Sequence, residues 1–93
     1  MTYRVRITAF ANNAAKKLSP EIKKAAKLAL KELAENPRLG KELQVELSGF
    51  RSYKFLRYRI VFKADTQTKT IFVWAIGHRR DIYENLGDYF LAE

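Results

Sequence analysis

Residues 76 to 86 read IGHRRDIYENL, which sets the only histidine of the chain, His78, directly before two guanidinium groups, Arg79 and Arg80, with the phenol of Tyr83 five positions after the histidine. An imidazole exchanges protons near neutral pH. A guanidinium stays charged and grips two phosphate oxygens at once. If Arg79 opens a helix, Tyr83 lies four residues on and shares its face. The set suits a phosphate: cations to hold it, with proton donors and acceptors alongside. A lone histidine before two arginines also occurs in solvated loops, and Tyr83 also suits a core edge beside Ile82 and Leu86. One histidine, no cysteine and scattered carboxylates offer no metal-ligand cluster, so neither a metal nor another cofactor is expected.

A second basic set lies upstream. From Phe50 to Lys63 there are five cations, Arg51, Lys54, Arg57, Arg59 and Lys63, and no acid. A two-residue turn at Leu56-Arg57 makes Phe55 face Tyr58 and Lys54 face Arg59, and directly opposed residues project from one side of a sheet. Two like charges are then side by side, an arrangement that favours an anion between them. Leu56-Arg57 is poor chemistry for the positive-φ positions of a tight hairpin, so a looser loop is the alternative.

The elements that must position these groups follow from pattern. Tyr3 to Ile7, YRVRI, alternates apolar and basic residues and reads as a strand with Arg4 and Arg6 on its open face. Thr8 caps a short helix in which Phe10, Ala14 and Leu18 recur every four residues. Ser19 and Pro20 restart the helix, with Glu21 near its positive end. Ile22, Ala25, Ala26, Ala29, Leu30 and Leu33 form its apolar stripe, Lys23, Lys24, Lys27 and Lys31 its wet face, and Asn36-Pro37 its end. YKFLRYRIVFKAD and TIFVWAIG are rich in aromatic and β-branched residues and read as strands joined by a turn at Asp65 to Lys69. Trp74 is expected in the core, sharing parity with Phe72 and Ile76. Ile82, Leu86 and Phe90 then keep a four-residue spacing that predicts a short closing helix. The result is an α+β domain spanning 1–93, with order β-α-α-β-β-β and a mostly antiparallel sheet carrying a helical hairpin on one face.

Composition bounds the function. A chain of 93 residues with 47% apolar and 30% charged residues supports one modest core. There is no 18-residue apolar run and no apolar leader, which predicts a cytoplasmic protein without membrane contact. Net charge is +8, with the acids Asp81, Glu84, Asp88 and Glu93 gathered at the C-terminal end. This polarity favours a polyanion or an acidic protein segment as partner.

Taken in order, NPRLGKELQVELSG, SYKFLRYRIVF and IGHRRDIY resemble the RelE/ParE superfamily of bacterial and archaeal toxin-antitoxin modules. There an L-x-G, a Y-R-V-G-D-Y-R-like hairpin and a G-H-R-R-D-x-Y segment follow one another at similar spacing. The resemblance covers essentially the whole chain and implies a toxin of β-α-α-β-β-β fold held inactive by a cognate antitoxin. Its RelE-like branch cleaves mRNA in the ribosomal A site without a metal, which makes mRNA and the ribosome the implied partners. Carried over by position, the catalytic set is Lys54, Arg59, His78, Arg79 and Tyr83. Arg51, Arg57, Lys63 and Arg80 are the further RNA-binding candidates. Such cleavage needs a base for the 2′-OH proton, cations for the phosphorane and an acid for the leaving 5′-oxygen; His78, Tyr83 and Lys54 are the candidates for the two proton transfers. Two departures stand out: Leu56-Arg57 replaces the usual Gly-Asp, and a second hairpin lysine found in some ribosome-dependent members is replaced by Leu56. The alternatives are a ParE-like inhibitor of DNA gyrase acting by protein binding, and a degenerate module that binds only nucleic acid or antitoxin.

Overall fold

The computed structural model describes residues 2–42 and 49–78. Strand β1 (Arg4–Ile7) leads into helix α1 (Ala9–Lys16), and α2 (Pro20–Glu35) follows; α1 packs on β5 and α2 on β1 and β3. Both starts are capped as the residue types dictate: Thr8 Oγ1 accepts from the Ala11 N–H at 3.1 Å and Ser19 Oγ from the Ile22 N–H at 3.5 Å. Thr8 also ties this corner to the sheet, its N–H donating to the Val73 carbonyl and its hydroxyl to that of Trp74. Asn36 ends α2, and a 3₁₀ turn (Pro37–Leu39) follows.

The sheet consists of β1, β2 (Lys41–Glu42), β3 (Phe50–Phe55), β4 (Tyr58–Asp65) and β5 (Thr70–His78) in the order β1-β5-β4-β3-β2. Among the described strands only the β1–β5 pair is parallel. The α+β class, the helical hairpin and the mostly antiparallel sheet are as expected. Strand β2 is additional; two residues are too few to carry a period. It begins where Gly40 lets the chain press onto the core, since a Cβ there would come within 2.6 Å of the buried Phe62 ring. The predicted closing helix lies outside the described residues.

Leu56-Arg57 makes the two-residue hairpin despite its chemistry. Leu56 takes φ 54° and Arg57 does not turn positive, as in a type II′ turn. At the other end of β4, Asp65 Oδ1 accepts from the backbone N–H groups of Gln67 (2.9 Å) and Thr68 (3.3 Å). Those hydrogen bonds, with Thr68 foremost, hold its carboxyl below the usual range.

Alternation assigns the faces. Phe55, Ile60, Phe62, Ile71, Val73 and Ile76 point at the helices and pack with Ala11, Ala26, Ala29 and Leu33. Between Val61 and Phe62 the register slips: Val61 faces Ala75 and Phe62 faces Val73, which leaves Trp74 as the extra residue of a bulge. The slip corrects the reading of Trp74. It is half-buried outside the helix-side core and meets Phe50 edge-on at 5.6 Å, while Phe72 is exposed and Ile76 buried. Parity counted along β5 fails at a bulge because one residue drops out of the ladder.

Candidate functional site

The open face, opposite the helices, carries the basic hairpin. Lys54 stands directly across from Arg59, and Arg59 across from Gly77 on β5. Because the turn has two residues, Lys54 and Arg59 form the closer, non-hydrogen-bonded kind of pair, with Cα atoms about 4.5 Å apart. Lys54 is exposed and Arg59 half-buried with its Nε enclosed. Gly77, the neighbour of Arg59 on β5, presents no side chain.

Toward the sheet edge the same two cations line a groove of about 350 Å³ shared with Lys41 and Ser52. Lys41 faces Ser52 across β2 and β3, and so joins them on the open face. The Ser52 hydroxyl is buried and, among the described residues, has no hydrogen-bond partner. A buried hydroxyl left unsatisfied costs about 1 to 3 kcal/mol, and here it sits at the floor of a groove framed by three cations. Sequence reasoning missed both residues. Lys41 belongs to a strand too short to be seen, and Ser52 looks like any polar strand residue until pairing puts it beside Lys41.

The remaining predicted residues divide. His78 faces Tyr58 across the ladder, their rings at 5.5 Å in an edge contact, and Tyr58 stacks on the buried Phe55 at 5.7 Å. That aromatic row lies on the helix side. The structure therefore does not bring the His78 ring onto the face of Lys54 and Arg59, because the histidine is one residue past Gly77 and alternation turns it away. Arg51 also points to the helix side, where its Nη1 donates to the Gly40 carbonyl at 2.7 Å and ties β3 to the end of the 3₁₀ turn. Arg57 is exposed at the hairpin tip, and Lys63 is on the open face with its ammonium 5.6 Å from the centre of the Phe50 ring. Arg79, Arg80 and Tyr83 lie outside the described residues.

Among the described residues no group of three or more His, Cys, Asp or Glu is placed to hold a metal ion. No helix among them is long and apolar enough to cross a membrane. On the helix side, burial and the neighbouring Glu32 carboxylate, to which its hydroxyl donates at 3.4 Å, raise the Tyr53 phenol above its ordinary value. It stays a neutral donor.

Comparison with known proteins adds to this geometry. Residues 5–83 match the family model described as ParE toxin of type II toxin-antitoxin system, parDE. The chain is 36% identical over 85 residues to Toxin RelG of Mycobacterium tuberculosis, covering 89% of this chain and 98% of that one. Its fold is similar to that in the crystal structure of the toxin-antitoxin complex RelBE2 from Mycobacterium tuberculosis, at TM-score 0.79 and 33% identity, over 85% of this chain and all of that one. It is similar also to a mutant of the E. coli toxin RelE in the free state, at TM-score 0.76 and 21% identity, over 95% and 97% of the two chains.

Proposed function

The chain belongs to the RelE/ParE superfamily, the toxins of type II toxin-antitoxin modules, and from that premise we propose that it is a ribosome-dependent endoribonuclease that stops translation by cutting mRNA. The observation that carries the reading is the pairing of Lys54 with Arg59 on one open face, above a groove whose floor is an unpartnered hydroxyl. Arg59 grips the scissile phosphate and opposes the charge that develops on it as the 2′-oxygen attacks. Arg79 adds a second guanidinium to the same phosphate. Lys54 is an ammonium on the same face as Arg59, which supports it as the donor that protonates the leaving 5′-oxygen. With the His78 ring turned to the helix side, Tyr83 is the candidate for the base that takes the 2′-OH proton, with ribosomal RNA aligning the substrate and supplying part of the orientation.

The partner that restrains it is a cognate antitoxin. Relatives of similar fold are seen as toxin-antitoxin complexes, RelBE2 among them, and an acidic amphipathic segment fits the polarity of this chain.

A second reading is favoured by one finding, that the matching family model is the ParE one. ParE-like toxins inhibit DNA gyrase by binding it, and such a binder has no use for Lys54 paired with Arg59 over a groove.

Primer-extension mapping on programmed ribosomes decides between them. Wild-type protein is expected to cut in the A site, and Arg59→Ala and Arg79→Ala to cut about a hundredfold less or worse. Folded protein that cuts neither ribosome-bound nor naked mRNA, yet blocks gyrase supercoiling, overturns the nuclease.

A further inference from the structure

A row of four residues crosses the open face at the end away from the hairpin. The register pairs Arg6 of β1 with Phe72 of β5, Phe72 with Lys63 of β4, and Lys63 with Phe50 of β3. Cation and aromatic ring thus alternate over four adjacent strands. Arg6, Phe72 and Lys63 are exposed and Phe50 half-buried. Phe72 is unusual: it sits within an interior strand, flanked by β1 and β4, and still leaves 36% of its surface in water. Arg4, one alternation away from Arg6 on the same strand, adds a further cation to this face. Among the described residues the carboxylate on this end is Asp65, and its Oδ1 is taken up by the N–H groups of its own turn. What the row shows outward is positive charge around an open ring.

We propose that this row is a stacking platform for the mRNA strand: a base beyond the phosphate held at Lys54 and Arg59 lies on the Phe72 ring, and Arg6 and Lys63 hold the phosphates flanking that base. The proposal rests on the nuclease reading for where the strand comes from. Aromatic faces interleaved with cations bind single strands with little sequence preference, because every base has a π-face and every link a charge. Lys63 is four residues from Arg59 along β4, a span of about 13 Å, and both project from the same face. A strand gripped at the hairpin crosses the row within a few nucleotides. An acidic peptide would satisfy Arg6 and Lys63 but leave the exposed ring between them unused.

The test is fluorescence anisotropy of the full chain with a labelled 2′-O-methyl hexauridylate, whose blocked 2′-oxygens prevent cleavage. Phe72→Leu, which keeps an apolar side chain but has no π-face, is expected to weaken binding roughly tenfold, and Phe72→Trp to bind like the wild type. Arg6→Ala and Lys63→Ala are each expected to flatten the dependence of log K on log salt by about 0.7. Phe72→Leu that binds as the wild type does, or wild type that does not bind the hexamer, overturns the platform. Its failure and that of the nuclease remain distinct. Ribosomal cleavage with a silent Phe72→Leu removes the platform alone, whereas hexamer binding through Phe72 without any cleavage removes the nuclease alone.

Discussion

Alternation decides which charged residues work together. Lys54 and Arg59 meet because a two-residue turn fixes their pairing, one of the two loop geometries that the sequence leaves open. The family resemblance groups His78 with them, but it follows Gly77 on a strand, and a step of one residue reverses the face. If the open face is the reacting face, Lys54→Ala should cost about a hundredfold in ribosomal cleavage, within the usual range for a proton donor, and His78→Ala less than about tenfold. A larger loss in His78→Ala, measured by the same primer extension, would place the base on the helix side. Lys41 and Ser52 escaped notice for the opposite reason: their types are unremarkable, and only pairing across a two-residue strand joins them to the groove.

At the level of the element, the caps and the stripe of α2 follow from neighbours within one turn. In α1, by contrast, the spacing of Phe10, Ala14 and Leu18 misses the buried face: Ala11 is buried, Phe10 is exposed and Leu18 lies past the helix end. Thr8, Ser19-Pro20 and Asn36 each do what their chemistry requires. The bulge at Trp74 was hidden, since it arises from how β4 and β5 match and leaves no Gly or Pro to mark it. The hairpin shows local chemistry overruled by the strands on either side. Leu56 at φ 54° carries the left-handed penalty of about 1 to 2 kcal/mol, and it is 59% exposed, so little packing depends on it. Leu56→Gly removes that penalty and adds about 0.5 to 1 kcal/mol of unfolded-state entropy. The net expectation is a gain of about 0.5 to 1 kcal/mol, a rise of a few degrees in Tm by calorimetry. A drop in Tm would mean that the Leu56 side chain holds the hairpin by contact.

Across the whole molecule, charge sets two opposite salt responses. The described residues extend over 31 × 30 × 21 Å, so at 10 mM salt, where the screening length is about 30 Å, the excess of eight positive charges repels itself throughout. Raising salt to 150 mM shortens that length to about 8 Å. The Tm should rise over this range while affinity for RNA falls; a Tm that falls instead would show that local ion pairs outweigh the repulsion.

The place of β5 has a consequence for how the protein is made. It is the last described strand to be synthesised, yet it lies between β1 and β4, and its partner β1 is the first described strand, with Arg4 facing Thr70 across 65 intervening positions. Until β5 emerges, the first strand has no neighbour and β4 has an open edge. A nascent chain halted anywhere before Thr70 therefore lacks both the join that closes the sheet and the strand that flanks Arg59. On the ribosome that makes it, the toxin's sheet stays unassembled until β5 has been made.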